Sequence, residues 1–246
     1  MNHLFDENII TPLINKKVED LALGLMKNEE KNHCLAGISI YDWRIISYKN
    51  RDGEDDIFVI VPSSAFKRFI LDREYLKVLD LFSEHFGCKN DWEIVSAIKK
   101  YDKNKLVREY SDEEYLEYLS GETMAYIFKI EKDNSISDKV LRLDLCRGIN
   151  KGNEFQGGIF HILKHFSLGE YETISSFGKE FPLEAWGEIY HNIISNFFSS
   201  DFKPERENCY EAKSRARDGH VLRGIYFKNP EVPVYFLNSL RVDKNE

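Results

Sequence analysis

The strongest constraint on how this chain folds is a series of short β-branched and aromatic runs, each ended by turn-forming residues. Residues 44–48 and 57–61 flank the segment Asn-Arg-Asp-Gly-Glu-Asp-Asp at 50–56, a hairpin signal, and 35–41 has the same texture. Residues 124–130 and 140–145 flank a polar turn at 132–135. Near the C-terminus, 209–215, 221–228 and 232–242 read as strands, the last two separated by Asn229-Pro230-Glu231.

Helical patterns lie between these groups. Residues 8–28 read as an opening helix. Ser63-Ser64 can cap a helix to about residue 86, with Phe66, Phe69, Ile70, Leu76, Leu79 and Phe82 inward. Trp92, Ile94, Val95 and Ile98 mark another helix, and Ser111-Asp112 followed by Glu113-Glu114 starts a short one. Pro182 opens a helix that directs Trp186, Ile189, Tyr190, Ile193, Ile194 and Phe197 inward. The expectation is an α+β chain. A mixed helix and antiparallel-sheet part at residues 1–147 precedes a part at 148–246 in which helices pack on a small antiparallel sheet.

A hydrophobic fraction of 42% is ample for a core, and a net charge of −8 argues against generic nucleic-acid binding. Any contact with phosphate must come from a local excess of Lys and Arg. Cys34, Cys88, Cys146 and Cys209 are widely spaced, as expected of free thiols in a reducing compartment. No signal peptide or membrane-spanning run is apparent, so a soluble, cytoplasmic protein without membrane contact is expected.

Chemistry concentrates in residues 155–166, Phe-Gln-Gly-Gly-Ile-Phe-His-Ile-Leu-Lys-His-Phe. On a helix, Ile159, Ile162, Leu163 and Phe166 form an apolar stripe, leaving His161, Lys164 and His165 on the other side. Two imidazoles on one face can transfer protons or bind a metal, and the same pattern also fits an ordinary solvent-facing surface. The glycine pair can bring backbone close to a ligand or form an anion-binding turn. A zinc-protease helix carries Glu directly after its first His, and here that position is Ile162. Glu188 and His191 form an ExxH on the next helix, so a metal-dependent hydrolase using His161, His165 and Glu188 or His191 is one alternative.

Residues 213–228 carry Lys213, Arg215, Arg217, Arg223 and Lys228 against Asp218, with His220, Tyr226 and Phe227. Cations interleaved with aromatics suit single-stranded nucleic acid, and positive charge also keeps an edge strand soluble. Cys146 has no histidine close in sequence to activate a thiol.

The order of a Gly157-Gly158 turn, a His161-Lys164-His165 helix, a second helix, and strands at 222–227 and 234–242 resembles the barnase, EndoU, colicin-tRNase and RelE-like ribonuclease superfamily. The resemblance is to its phage- and mobile-element-associated members and covers the C-terminal part only. It implies a toxin-like, metal-independent endoribonuclease that needs no cofactor and takes RNA, with tRNA among the candidates. In that reading His161 and His165 serve as acid and base, while Lys164 and Arg223 stabilise phosphorane charge. Tyr226, Ser239, Arg215 and Arg217 then bind substrate. The chief rival is a non-enzymatic protein of the immunity or phage-defence type that binds a protein partner or inhibitor.

Overall fold

The hairpin-forming runs pair with their sequence neighbours, and both groups join a single sheet. The computed structural model describes residues 7–28, 42–50, 52–63, 91–103, 106, 108–120, 123–167, 183–216 and 219–243. Strands β1 (Arg44–Lys49), β2 (Asp55–Pro62), β3 (Thr123–Ile130) and β4 (Val140–Asp144) form one antiparallel meander. Strands β5 (Lys203–Arg206), β6 (Cys209–Arg215), β7 (Val221–Lys228) and β8 (Val234–Val242) form a second. The eight-stranded order is β1-β2-β3-β4-β8-β7-β6-β5. The meanders meet where β4 pairs in parallel with β8, through Val140↔Val234, Leu141↔Tyr235 and Arg142↔Phe236. The α+β class holds, but strands from both sides of residue 147 share a large sheet where a small C-terminal one was expected.

Local chemistry accounts for the turns and caps. The Asn50 side chain accepts bonds from the Asp52 and Glu54 amides, each at 3.0 Å, and Gly53 takes φ 78°. Asn134, at φ 64°, completes the β3–β4 turn. Five helices occur among the described residues: α1 (Glu7–Asn28), α2 (Trp92–Asp102), α3 (Asp112–Ser120), α4 (Gly158–Ser167) and α5 (Leu183–Phe197). Ser111 and Glu114 bond each other's backbone amides, a capping box that starts α3. The expected strand at 35–41 lies outside the described residues, as does the expected helix beyond Ser63. β5 was not anticipated, because Lys-Pro-Glu-Arg is polar and exposed throughout, as suits an edge strand.

Each face of the sheet is covered differently. Ile10, Ile14 and Val18 of α1 pack with Val59, Val61, Tyr126, Phe128, Val140 and Val234, so α1 covers the first meander and the start of β8. The opposite face carries the larger core, where residues of α2 to α5 meet Phe58, Ile127, Leu141, Leu143, Leu222 and Leu237. Ile159, Ile162 and Leu163 of α4 are fully buried there. Each contributes about 1.5–3 kcal/mol, enough to hold a helix too short to be stable alone. Asn196 of α5 is buried and donates to Ser214 Oγ at 2.9 Å and to the Leu222 carbonyl at 3.1 Å, pinning the helix to β6 and β7.

The glycine pair sets where α4 begins. Gly158 has φ 75°, and a Cβ there would lie 2.8 Å from the Asp144 and Leu145 carbonyl oxygens. Gly157, at φ 54°, abuts Asn238 of β8. The close approach is thus made to the chain's own strands. Gly158→Ala should cost about 2–4 kcal/mol, by combining left-handed strain with overpacking. Urea unfolding should show a lower midpoint with an unchanged slope.

Candidate functional site

The segment between β4 and α4 is a tight loop held at both ends. Arg147 N–H donates to the Gln156 carbonyl at 2.9 Å, and Gln156 N–H donates to that of Gly148 at 2.7 Å. Asn150 Oδ1 accepts from the Gly152 and Glu154 amides, and Asn153 takes φ 60° to close the tip. The buried carboxylate of Asp91, at the start of α2, accepts the Phe155 amide at 2.6 Å. This loop is anchored by backbone bonds rather than left as a flexible tether.

Its first residue carries the central group of the site. The Arg147 guanidinium stacks over Phe236 at 5.2 Å and Phe227 at 5.9 Å from the ring centroids. Arg147 is exposed, and contacts of this kind contribute about 0.5–1 kcal/mol at such a position while leaving the fork of donors open. Among the described residues Arg147 has no carboxylate partner. Together with Asn150, Phe155, Gln156, Gly157, His161, Phe227 and Asn238 it lines a cleft of about 480 Å³. Asn238 lies at a β-bulge in β8, where the register shifts opposite Ile225 and Tyr226. The cleft therefore joins a cation lying over two aromatic rings, an imidazole and amide groups, a set suited to a phosphate next to a proton-transfer group.

Neighbouring cations are arranged differently. Arg142 stacks on Phe236 at 5.0 Å but also donates to the buried Asp144 at 2.7 Å. Arg223 donates to Glu211 at 2.7 Å and approaches Glu205 at 3.4 Å. The Glu211 hydrogen bond holds its guanidinium pKa above the ordinary arginine value. Lys213 pairs with Asp243 at 2.8 Å. Two of the five cations in the basic segment singled out in the sequence, Lys213 and Arg223, are thus paired with carboxylates from outside that segment.

The expected site residues separate accordingly. His161 lies in the cleft. Lys164 and His165 continue α4 by their backbone, their side chains lying outside the described residues, as does that of Glu188. Arg217 lies outside them altogether. Ser239 follows Asn238 at the bulge, on the same sheet face as Arg223 and Phe227. Tyr226 points the other way. It is fully buried beneath α5 and its hydroxyl donates to Asn196 Oδ1 at 2.8 Å. Arg215 lines a second cleft of about 750 Å³ with Tyr48, His191 and Ser195. His161 and His191 thus open into different clefts, and no group of three or more metal-ligating side chains occurs among the described residues. Burial pushes the Cys146 thiol up to about 11, which removes the thiolate at neutral pH. Arg147 and Asn238 were not singled out in the sequence, where Arg147 is one residue at the head of a Gly/Asn-rich loop. No helix among the described residues is long and apolar enough to cross a membrane.

Compared with known protein families, curated proteins and solved structures, the chain matches none.

Tyr226→Phe should lower stability by about 1–3 kcal/mol, because it leaves the buried Asn196 oxygen without that donor. Denaturant titration measures this directly. At pH 8, mass-mapped iodoacetamide labelling should leave Cys146 unmodified in the native protein and label it after unfolding.

Proposed function

We propose that the chain is a metal-independent endoribonuclease whose reacting phosphodiester sits in the Arg147–His161 cleft. The observation that carries this reading is the Arg147 guanidinium, held on two phenylalanine rings and, among the described residues, free of any carboxylate. An exposed guanidinium biased toward the cleft by two rings is accessible to a phosphate, and its fork can engage two oxygens at once.

In the proposed reaction a histidine takes the proton of the ribose 2′-hydroxyl and the 2′-oxygen attacks phosphorus. The bond to the 5′-oxygen breaks, and the proton this oxygen needs comes from a second group. The products are a 2′,3′-cyclic phosphate and a free 5′-hydroxyl. His161 is assigned one proton transfer. His165, one turn later on α4, is assigned the other, and Lys164 adds a cation to the same helix. Arg147 takes the charge-stabilising role expected of Arg223, whose charge is already shared by Glu205 and Glu211. Asn238, Asn150 and Gln156 supply further hydrogen bonds to substrate.

Cleavage of a labelled single-stranded RNA should persist in EDTA. His161→Ala should lower the rate by about 10²–10⁴-fold, the range for one general acid or base. Arg147→Ala should lower it by about 10²–10³-fold. Chelator-sensitive cleavage, or variants as active as the parent, would overturn the assignment.

A further inference from the structure

Among the described residues, no helix packs on one face of the second meander beyond the start of β8. Residues 223, 225 and 227 of β7 lie on the sheet face opposite the α2–α5 core, as do Phe236, Asn238, Ser239 and Arg241 of β8. Among the described residues the core on this side gathers around α1 and includes neither β6 nor β7. Phe227 and Phe236 are only partly buried, each beneath the Arg147 guanidinium. At the far end of β8, Arg241 is exposed and has no carboxylate partner among the described residues.

The charge on this face is uneven, and that fixes a direction across it. Toward β6 and β5, Arg223 faces two carboxylates, Glu211 and Glu205, so that flank is neutral to acidic. Along β8, Arg147 and Arg241 stand at opposite ends with no acid between them at Phe236, Asn238, Ser239 and Arg241. Five residues of strand separate Phe236 from Arg241, a span of roughly 16 Å. A polyanion is therefore favoured along β8 and disfavoured across β6.

We infer that this face is a track for single-stranded RNA, running along β8 from Arg147 to Arg241. Unpaired bases stack on the arginine–phenylalanine pile, and the backbone follows the strand to the second guanidinium. An arginine plane and an aromatic ring both accept the face of any base, and reaching them requires bases free of a duplex partner. Asn238 and Ser239, side by side at the bulge, offer hydrogen bonds midway. The inference rests on the ribonuclease reading for the choice of RNA, and it names the form of RNA taken.

The test uses the full chain and a 2′-O-methyl oligoribonucleotide of about six residues, a length within the range of single-strand sites. This probe lacks the attacking hydroxyl, so binding is read separately from cleavage. Fluorescence anisotropy should show the single strand bound at least about tenfold more tightly than a duplex of the same sequence. Phe236→Leu should weaken single-strand binding by about 5- to 150-fold, the range for one stacked base. Arg241→Ala, at an exposed position that does not disturb folding, should lower the slope of log K against log salt by about 0.7. Equal affinity for single strand and duplex would overturn the track, as would unchanged binding and salt slope in Arg241→Ala. If His161→Ala leaves RNA cleavage intact while these binding results hold, the ribonuclease assignment falls and the single-strand track stands.

Discussion

The parallel pairing of β4 with β8 is the contact on which the rest of the architecture depends. It joins two antiparallel meanders at only three register pairs, Val140↔Val234, Leu141↔Tyr235 and Arg142↔Phe236. A parallel connection cannot be a hairpin, so the chain must cross over between the strands, and α4 and α5 lie in that crossover. Because β4 stops at Asp144 while β8 continues to Val242, the loop after β4 comes to rest against the rest of β8. That mismatch in strand length places Arg147 over Phe236 and sets Gly157 against Asn238.

Charge pairing then decides which basic residues remain able to meet an anion. The chain carries a net charge of −8, and two cations on the second meander, Lys213 and Arg223, are matched by carboxylates at 2.8 and 2.7 Å. Such pairs at partly exposed positions add little to stability, about 0–1 kcal/mol each, but they remove local charge. Among the described residues Arg147 has two phenylalanine rings beside it and no carboxylate. Aromatic contact of this kind biases the side chain without neutralising its charge.

Much of the fold was legible in local patterning. Runs rich in β-branched and aromatic residues located β1 to β4 and β6 to β8, and the Ser111–Glu114 box and Pro182 located the starts of α3 and α5. The joining of the two meanders was not legible, because it depends on which distant strands pair, and nothing in residues 140–144 or 234–242 taken singly says so. The alternation along β7 sends Arg223 and Tyr226 to opposite faces, so they cannot serve one cleft. Tyr226 belongs to the core beneath α5, with Asn196 as its acceptor. The glycine pair was visible as a close approach, but what it approaches depends on the ends of β4 and β8. Arg147 carried no local signal, since its setting is made by aromatic residues about 80–90 positions away.

The central claim is that Arg147 receives a phosphate in the cleft that also holds His161. Nuclear magnetic resonance of the arginine Nε–H and histidine ring signals, titrated with a 2′-O-methyl dinucleotide, tests it most directly. The Arg147 and His161 signals should shift together along one saturable curve, while Arg223 and His191 stay in place. Saturable binding that moves Arg223 or His191 and leaves Arg147 and His161 unshifted would contradict it.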